Sequence, residues 1–482
     1  MNPQEESLKY KTKKGLYWKF SEQFASYVTQ FVVGVIMARL LSPHDFGTAA
    51  IPAVFLNIAE VFIEGSFGLA LIRKPEISEK DLSTSFYYGI VVGVCCYLLL
   101  YVGAPLIANY YNESLLKPLV RITALTFLLN PLLTPQNVLL NRRLDFKTPA
   151  KISVLVHIVS GAAGITVAYL GFGIWALVIS SLCTSVLTFL FTWIVVRWFP
   201  KTSFSRESFK YLWSYGNKMM ISQLVNAVYH NIVTLIIGKS YGTKELGYYN
   251  RAKGFASIPS SNLGSVINTV SFPVLSKVQS DNVLLSRNYR RMIRVSSFLV
   301  FPLMTLLCAL ARPLIITLVT EKWIECVVLL QIMCFTYMFI PAQLLNLNLL
   351  QVKGRTDLSL KLELIKKSLF TVAVLFAIRF GLIVLCLVDL LMNLIALILN
   401  SHYTGIFLEV GIIRQIKDML PHFILSIIMM VLVYFLVQCF SIAWLQLLFG
   451  GIGGLVFYFG IAYLLKFEEL NDVKYMLARN KS

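Results

Sequence analysis

Apolar and polar positions alternate along this chain on the scale of a bilayer. Fourteen strongly apolar stretches, at residues 17–41, 46–70, 83–108, 115–140, 149–170, 173–197, 208–238, 246–276, 291–319, 326–350, 361–379, 381–405, 420–439 and 441–465, are separated by short polar gaps. A helix needs about 20 residues to cross the hydrocarbon layer, so the pattern predicts an all-α integral membrane protein with about 14 transmembrane helices. Pro131, Pro135, Pro259, Pro273 and Pro341 fall inside these stretches. Such kinks are tolerated where neighbouring helices or a wet cavity satisfy the freed carbonyls, and they often line a cavity.

Composition agrees. Hydrophobic residues make up 57% of the 482 positions and charged residues 14%, with a mean hydropathy of +0.72. That leaves too little polar surface to cover soluble domains. The basic residues carry the orientation. Of 43 Lys and Arg, 31 fall in the N-terminal segment, the C-terminal tail and every second gap; about ten, including Arg39, Arg121, Lys239, Lys244, Arg251 and Lys253, lie toward the other face. The positive-inside bias therefore predicts both termini in the cytoplasm. A net charge of +19 spread over so many loops is a topology signal and does not point to nucleic acid, although some of these residues can meet anionic lipid head groups.

Other classes drop out on simple grounds. No gap is long enough for a folded extramembrane domain, and there is no P-loop, so transport by this chain is secondary and not driven by its own ATP hydrolysis. The eight cysteines show no C-x-x-C pair and no His partner at ligand spacing, which predicts apolar filler, no metal site and no cofactor. The first apolar stretch is too long for a signal-peptide core and lacks a small-residue cleavage site. A membrane-embedded acyl- or glycosyltransferase would need a His/Asp or paired-carboxylate constellation at the membrane face, and none is visible.

An internal repeat appears at an offset of 200. Gln23, Val28, Val33, Ile36 and Gly47 meet Gln223, Val228, Val233, Ile236 and Gly247, while Arg39 meets Lys239 and Asp45 meets Glu245. The strings ARLLSPHDFG and GKSYGTKELG thus read as one helix-loop-helix element used twice. Six spans separate the copies, so they share one orientation, which implies two six-helix lobes related by an axis along the membrane normal. The expected division is a cytoplasmic segment 1–16, an N-lobe 17–200, a C-lobe 201–410, two added helices within 411–466 and a cytoplasmic tail 467–482.

Polar residues inside the spans supply the candidate chemistry. Gln23, Ser26 and Gln30 share one face of the first span, and Gln223, Asn226 and His230 occupy the equivalent face of the seventh. Either these stripes hydrogen-bond neighbouring helices or they face a wet central cavity; their recurrence in both lobes favours the cavity. Asn57, Glu60 and Glu64 share a face of the second span and Asp389 precedes Asn393 by one turn in the twelfth. Carboxylates are costly in a bilayer, which makes Glu60, Glu64 and Asp389 ion-coupling candidates; the alternatives are protonation, pairing with a cation such as Arg39 or Arg251, or, for Asp389, snorkelling. Lys19, Lys218, Arg39, Arg121, Arg251 and Lys253 lie in or near spans and offer donors to phosphate oxygens, Arg251 foremost. Arg39 and Lys239, at helix ends, also fit as interface anchors. A lone His230 reads more readily as a hydrogen-bonding filler than as a titrating group.

The first hairpin, with Arg39, Leu40, Leu41, Pro43, Phe46 and Gly47, and the stretch IIGKSYGTKELGYYNRAKGFASIP, with Gly238, Leu246, Gly247, Tyr249, Asn250, Arg251, Ala252 and Pro259, resemble the oligosaccharide-lipid flippases of the multidrug/oligosaccharidyl-lipid/polysaccharide exporter superfamily, in the branch linked to colanic acid, O-antigen and other surface polysaccharides. The resemblance covers nearly the whole chain. It implies a twelve- or fourteen-span bundle whose two lobes enclose a cationic cavity and rock between inward-open and outward-open states. It implies as cargo a polyprenyl-pyrophosphate-linked oligosaccharide, turned over in a bacterial inner membrane for lipopolysaccharide, capsule or exopolysaccharide synthesis. Polymerase and chain-length machinery would then act downstream, membrane lipids would be the other partners, and the chain would work as a monomer without being an enzyme. In that branch an acidic residue often precedes the IG segment in span seven; His230 and Asn231 stand here instead, which removes a coupling carboxylate from that position. The rival within the superfamily, a cation-coupled multidrug or metabolite antiporter, would draw on Glu60, Glu64 and Asp389.

Overall fold

A computed structural model of the protein describes residues 3–64 and 67–472; the side chains at 3–17, 19–21, 64, 218, 266 and 268–270 lie outside the description. Helices occupy each of the fourteen expected positions. Among the described residues, eleven segments are long and apolar enough to cross a membrane. The other three positions hold α1 (Pro3–Leu40), α11 (Thr243–Lys277) and α16 (Thr356–Ala377), whose polar residues keep them below that standard, so composition alone does not establish the number fourteen. The physical reason is visible in the sequence: α1 and α11 carry Glu22, Gln23, Gln30, Arg251 and Lys253, and α16 carries Lys361, Glu363, Lys366 and Lys367.

The chain divides into two units, Met1–Gly247 and Tyr248–Ser482. In the first, α1 is followed by α2 (Pro43–Glu64), α3 (Phe67–Arg73), α4 (Glu79–Tyr111), α5 (Leu116–Thr123), α6 (Thr126–Leu129), α7 (Thr134–Arg142), α8 (Lys147–Tyr169), α9 (Trp175–Val196) and α10 (Arg206–Ser240). α1 packs on α8, α8 on α9, and α2 on α10 and α5. The start of α4 is set by a capping box. Ser78 Oγ accepts from the Asp81 amide at 3.3 Å, and Asp81 accepts from the Ser78 amide at 2.9 Å and from Lys74 Nζ at 2.7 Å. The Arg142 guanidinium donates to the carbonyls of Lys74 and Pro75, tying the end of α7 to the same loop. Phe67 stacks on Tyr88 at 4.0 Å and meets Phe209 edge-on at 5.8 Å, which joins α3, α4 and α10.

The fourth expected span, 115–140, is not one helix. α5 ends at Thr123, α6 lasts four residues, and a 3-10 turn at Asn130–Leu133 leads into α7. Pro131 and Pro135 cause this, because each removes the amide that would bond four residues back. α4 meets the break with a small residue: a Cβ on Gly93 would lie 2.3 Å from the Phe127 carbonyl oxygen, so only glycine lets the two backbones approach there.

The repeated hairpins meet each other. A Cβ on Gly47 would lie 1.6 Å from the carbonyl oxygen of Thr243, and a Cβ on Gly247 would lie 1.9 Å from the carbonyl oxygen of Pro43. Thr243 stands 200 residues after Pro43, as Gly247 does after Gly47. The contact is therefore reciprocal, each repeat pressing its glycine on the first helical turn of the other, and backbone touches backbone as in close small-residue crossings of membrane helices.

The second unit contains the remainder of α11 and then α12 (Asn282–Ala309), α13 (Ala311–Val319), α14 (Cys326–Met338), α15 (Ile340–Val352), α16, α17 (Leu382–Leu408), α18 (Ile412–Gln438) and α19 (Ala443–Leu464). α12 is central, packing on α14, α15 and α18, and Asp281 caps it by accepting from the amides of Val283 and Leu284, each at 2.9 Å. A buried amide cross-links four helices: Asn346 Oδ1 accepts from Tyr289 at 2.9 Å, Thr404 at 2.5 Å and Gln415 at 3.0 Å, while its Nδ2 donates to Gln415 Oε1 at 3.1 Å. At one end Arg290 grips Asp418 with bonds of 2.8 and 2.7 Å, and Arg294 donates to Glu469 at 2.8 Å. These ion pairs fasten α18 and the segment after α19 to α12. All eight cysteines are free thiols.

Candidate functional site

In the first unit the polar stripe of α1 splits. Ser26 and Gln30 turn to α8, with Ser26 Oγ 3.1 Å from Ser153 Oγ and Gln30 Nε2 3.2 Å from His157 Nε2. These two positions follow the helix-to-helix reading. Gln23 is exposed and donates to the Tyr27 hydroxyl one turn on, at 3.2 Å. On α10, Gln223 and Asn226 are half-buried and His230 is exposed, its ring edge-on to Tyr229 at 6.1 Å. Arg39 is exposed in the last turn of α1 and Asn57 is exposed on α2. The side chains of Lys218 and Glu64 lie outside the described residues.

Glu60 is half-buried, and its Oε1 accepts from Asn130 Nδ2 at 3.4 Å. It borders a cavity of about 490 Å³ walled by α2, α3, the broken span and α9. Asn130, Thr134, Asn137 and Asn141 line one wall, spaced four, three and four apart as one helical face, and Thr184, Ser185 and Thr188 line another. Along the chain Glu60 and the Pro131–Pro135 kink are separate features; the fold brings them together. The amide and hydroxyl residues were missed, and their helical spacing opposite a kink was the signal that pointed to them.

In the second unit the cations of α11 sit among aromatic rings. The Arg251 guanidinium lies 5.2 Å from the ring centre of fully buried Trp323 and 5.9 Å from Phe255, within cation–π range. Lys253 Nζ lies 5.8 Å from the Tyr249 ring and within electrostatic reach of Asp389. Asp389 Oδ1 accepts from Asn393 Nδ2 at 3.1 Å, and Asn393 accepts in turn from Gln343 at 3.2 Å. Arg251, Lys253 and Asp389 stand nine, eleven and eight positions into their helices. At about 1.5 Å per residue these groups lie some two to three turns inside. Asp389 is thus held in a chain of polar groups running from α15 through α17 to α11. A guanidinium stacked on a ring keeps its in-plane donors in a fixed fork, the arrangement that suits phosphate oxygens. Among the described residues no group of three or more His, Cys, Asp or Glu side chains could hold a metal ion.

Comparison with known proteins adds four findings. A family profile described as polysaccharide biosynthesis protein matches residues 36–328, which takes in both repeated hairpins, Glu60, Arg251 and Lys253. A teichuronic acid biosynthesis protein of Bacillus subtilis (strain 168) is 27% identical over 347 residues, 72% of each chain. A lipopolysaccharide biosynthesis protein of Escherichia coli (strain K12) is 25% identical over 380 residues, 76% of this chain and 75% of that one. Among solved structures, the lipid II flippase MurJ in an inward closed conformation superposes with a TM-score of 0.71 at 18% identity, covering 93% of this chain and 99% of that chain; at that identity the likeness speaks for the fold.

Proposed function

The chain belongs to the polysaccharide biosynthesis protein family, and from that premise we propose that it is a flippase carrying a polyprenyl-pyrophosphate-linked oligosaccharide across the bacterial inner membrane for surface polysaccharide synthesis. It is a multi-pass membrane protein that acts without catalysing a covalent step. Both termini face the cytoplasm, the lobes are residues 17–200 and 201–410, and alternating access moves the cargo. Arg251 carries the reading from the side of geometry. A half-buried cation in a membrane helix is costly; here it is held on Trp323, where it can bind the diphosphate that the lipid tail cannot shield. Lys253, Arg39 and Lys218 add positive charge along the path. Gln23, Asn57, Gln223, Asn226 and His230 offer hydrogen bonds to sugar hydroxyls, and Gln30 joins them when its bond to His157 opens. The flipped lipid passes to a polymerase and its chain-length partner, and the transporter itself works as a monomer.

Deleting the gene in its host tests this. Lipid-linked oligosaccharide accumulating on the cytoplasmic leaflet, together with loss of one surface polysaccharide, is the expected outcome. Unchanged lipid-linked sugar with altered drug or metabolite sensitivity would overturn it in favour of a cation-coupled antiporter.

A further inference from the structure

The cavity at Glu60 holds more hydrogen-bonding capacity than the protein uses. Asn130 donates to Glu60 at 3.4 Å, and the Thr184 hydroxyl returns to the Ser180 carbonyl at 2.9 Å. The side chains of Thr134, Asn137, Asn141, Ser185 and Thr188 line the same space from α7 and α9 and make no hydrogen bond to any other described residue. Thr134, Ser185 and Thr188 are half-buried while Asn137 and Asn141 are exposed, so the space opens toward the last turn of α7. Polar groups inside a membrane span are expensive, and they persist where they face a wet cavity or a ligand. Amides and hydroxyls that converge on one cavity without partners are available to whatever enters it.

From this lining we propose that the cavity is a carbohydrate subsite, holding sugar residues through Thr134, Asn137 and Asn141 on one wall and Ser185 and Thr188 on the other. A sugar hydroxyl both donates and accepts, and so do asparagine amides and the hydroxyls of Ser and Thr. A diphosphate is better served by guanidinium or ammonium donors, and an acyl or prenyl chain would strand the polar wall without hydrogen bonds. Leu69, Ile72 and Leu133 also line the space and give the C–H faces of a sugar ring an apolar surface, the usual mixture in a small-molecule site. Size agrees with this class. Thr134 to Asn141 covers about 10 Å along α7 at about 1.5 Å per residue, the length of a disaccharide. The volume, about 490 Å³, falls within the ~300–1,000 Å³ of such sites. At the Asn130 end, sugar hydroxyls donate to the Glu60 carboxylate whatever cation balances it. Binding stands on the cavity alone; that the sugar belongs to the transported cargo rests on the flippase reading.

The test uses the full chain in nanodiscs. The probe is short oligosaccharides from partial acid hydrolysis of the host's surface polysaccharides, so that neither diphosphate nor lipid takes part. Titration calorimetry should show saturable binding to the wild type and none of sorbitol at equal osmolality. Asn137→Ala and Thr188→Val, one on each wall, should each weaken binding about two- to tenfold, the loss of one neutral hydrogen bond, and the pair together by roughly tenfold or more. Thr188→Val keeps the shape of the side chain and serves alone if Asn137→Ala does not fold. No saturable binding by the wild type, equal heats from sorbitol, or a Thr188→Val affinity equal to that of the wild type would overturn the proposal. A protein that flips lipid-linked sugar without binding the free oligosaccharide sinks only this inference; one that binds it here without flipping sinks the other.

Discussion

Replacing Gly47 or Gly247 by alanine should force the two repeated hairpins apart. The added Cβ would stand 1.6 Å from the Thr243 oxygen in the first case and 1.9 Å from the Pro43 oxygen in the second, whereas a close carbon–oxygen contact is about 3.3 Å. The backbones must therefore separate by roughly 1.5 Å, and no rotamer change can relieve the clash because backbone lies on both sides. Overpacking of this kind costs about 1–3 kcal/mol, and the upper end applies here. A gap of even 0.5–1 Å also forfeits about a quarter to a half of each dispersion well around the crossing. Because both glycines serve one contact, separation caused by the first substitution relieves the second, so the double variant should lose clearly less than the sum of the singles. The assay is thermal unfolding in nanodiscs, with Gly103→Ala as control, since a Cβ there meets nothing within 4 Å and alanine is the better helix former. Gly47→Ala behaving like Gly103→Ala, or two additive losses, would refute the reciprocal contact.

Four other outcomes follow from named contacts. His157→Ala should lower stability by about 0.6 kcal/mol, the average for a hydrogen bond between membrane helices, while leaving lipid translocation intact; loss of translocation at full stability would restore the cavity reading of Gln30. Asn346→Leu strands the hydroxyls and amide that converge on it, at about 1–3 kcal/mol per unsatisfied buried group, read as a fall in melting temperature that Gly103→Ala does not show. Arg290→Met leaves Asp418, 6% exposed, facing Arg294 only at 3.9 Å; since Arg290 is itself partly exposed, the cost should be about 1–2 kcal/mol, below that of a fully buried pair, read as a fall in melting temperature. Arg251→Lys should impair translocation nearly as much as Arg251→Ala, because a point charge reproduces neither the fork nor the stacking on Trp323; full activity of the Lys variant would contradict the role given to the guanidinium.

Much of the fold could be read from hydropathy because a bilayer imposes length and apolarity on each span. The three positions that fall short of that standard, α1, α11 and α16, are those whose polar residues have partners inside the protein or reach its ends. The offset-200 repeat was legible from Gly47 and Gly247; that the two copies touch was not, because no one-dimensional pattern encodes which surfaces meet. The same holds for the site. Glu60, Arg251, Lys253 and Asp389 stood out as charges in apolar surroundings. Asn130, Thr134 and Thr184 did not, since neutral polar residues are common in membrane helices and gain meaning only when the fold lines them along one cavity with a carboxylate from another helix. Pro131 and Pro135 announced the break without saying what it faced.

The central claim is that this chain moves lipid-linked sugar between leaflets. Its most direct test is the purified protein reconstituted into liposomes with undecaprenyl-pyrophosphate-linked oligosaccharide, the glycan exposed outside being read with an impermeant lectin or glycosidase. The account predicts protein-dependent equilibration between leaflets that Arg251→Ala slows at least tenfold; leaflet distribution identical to protein-free liposomes would contradict it.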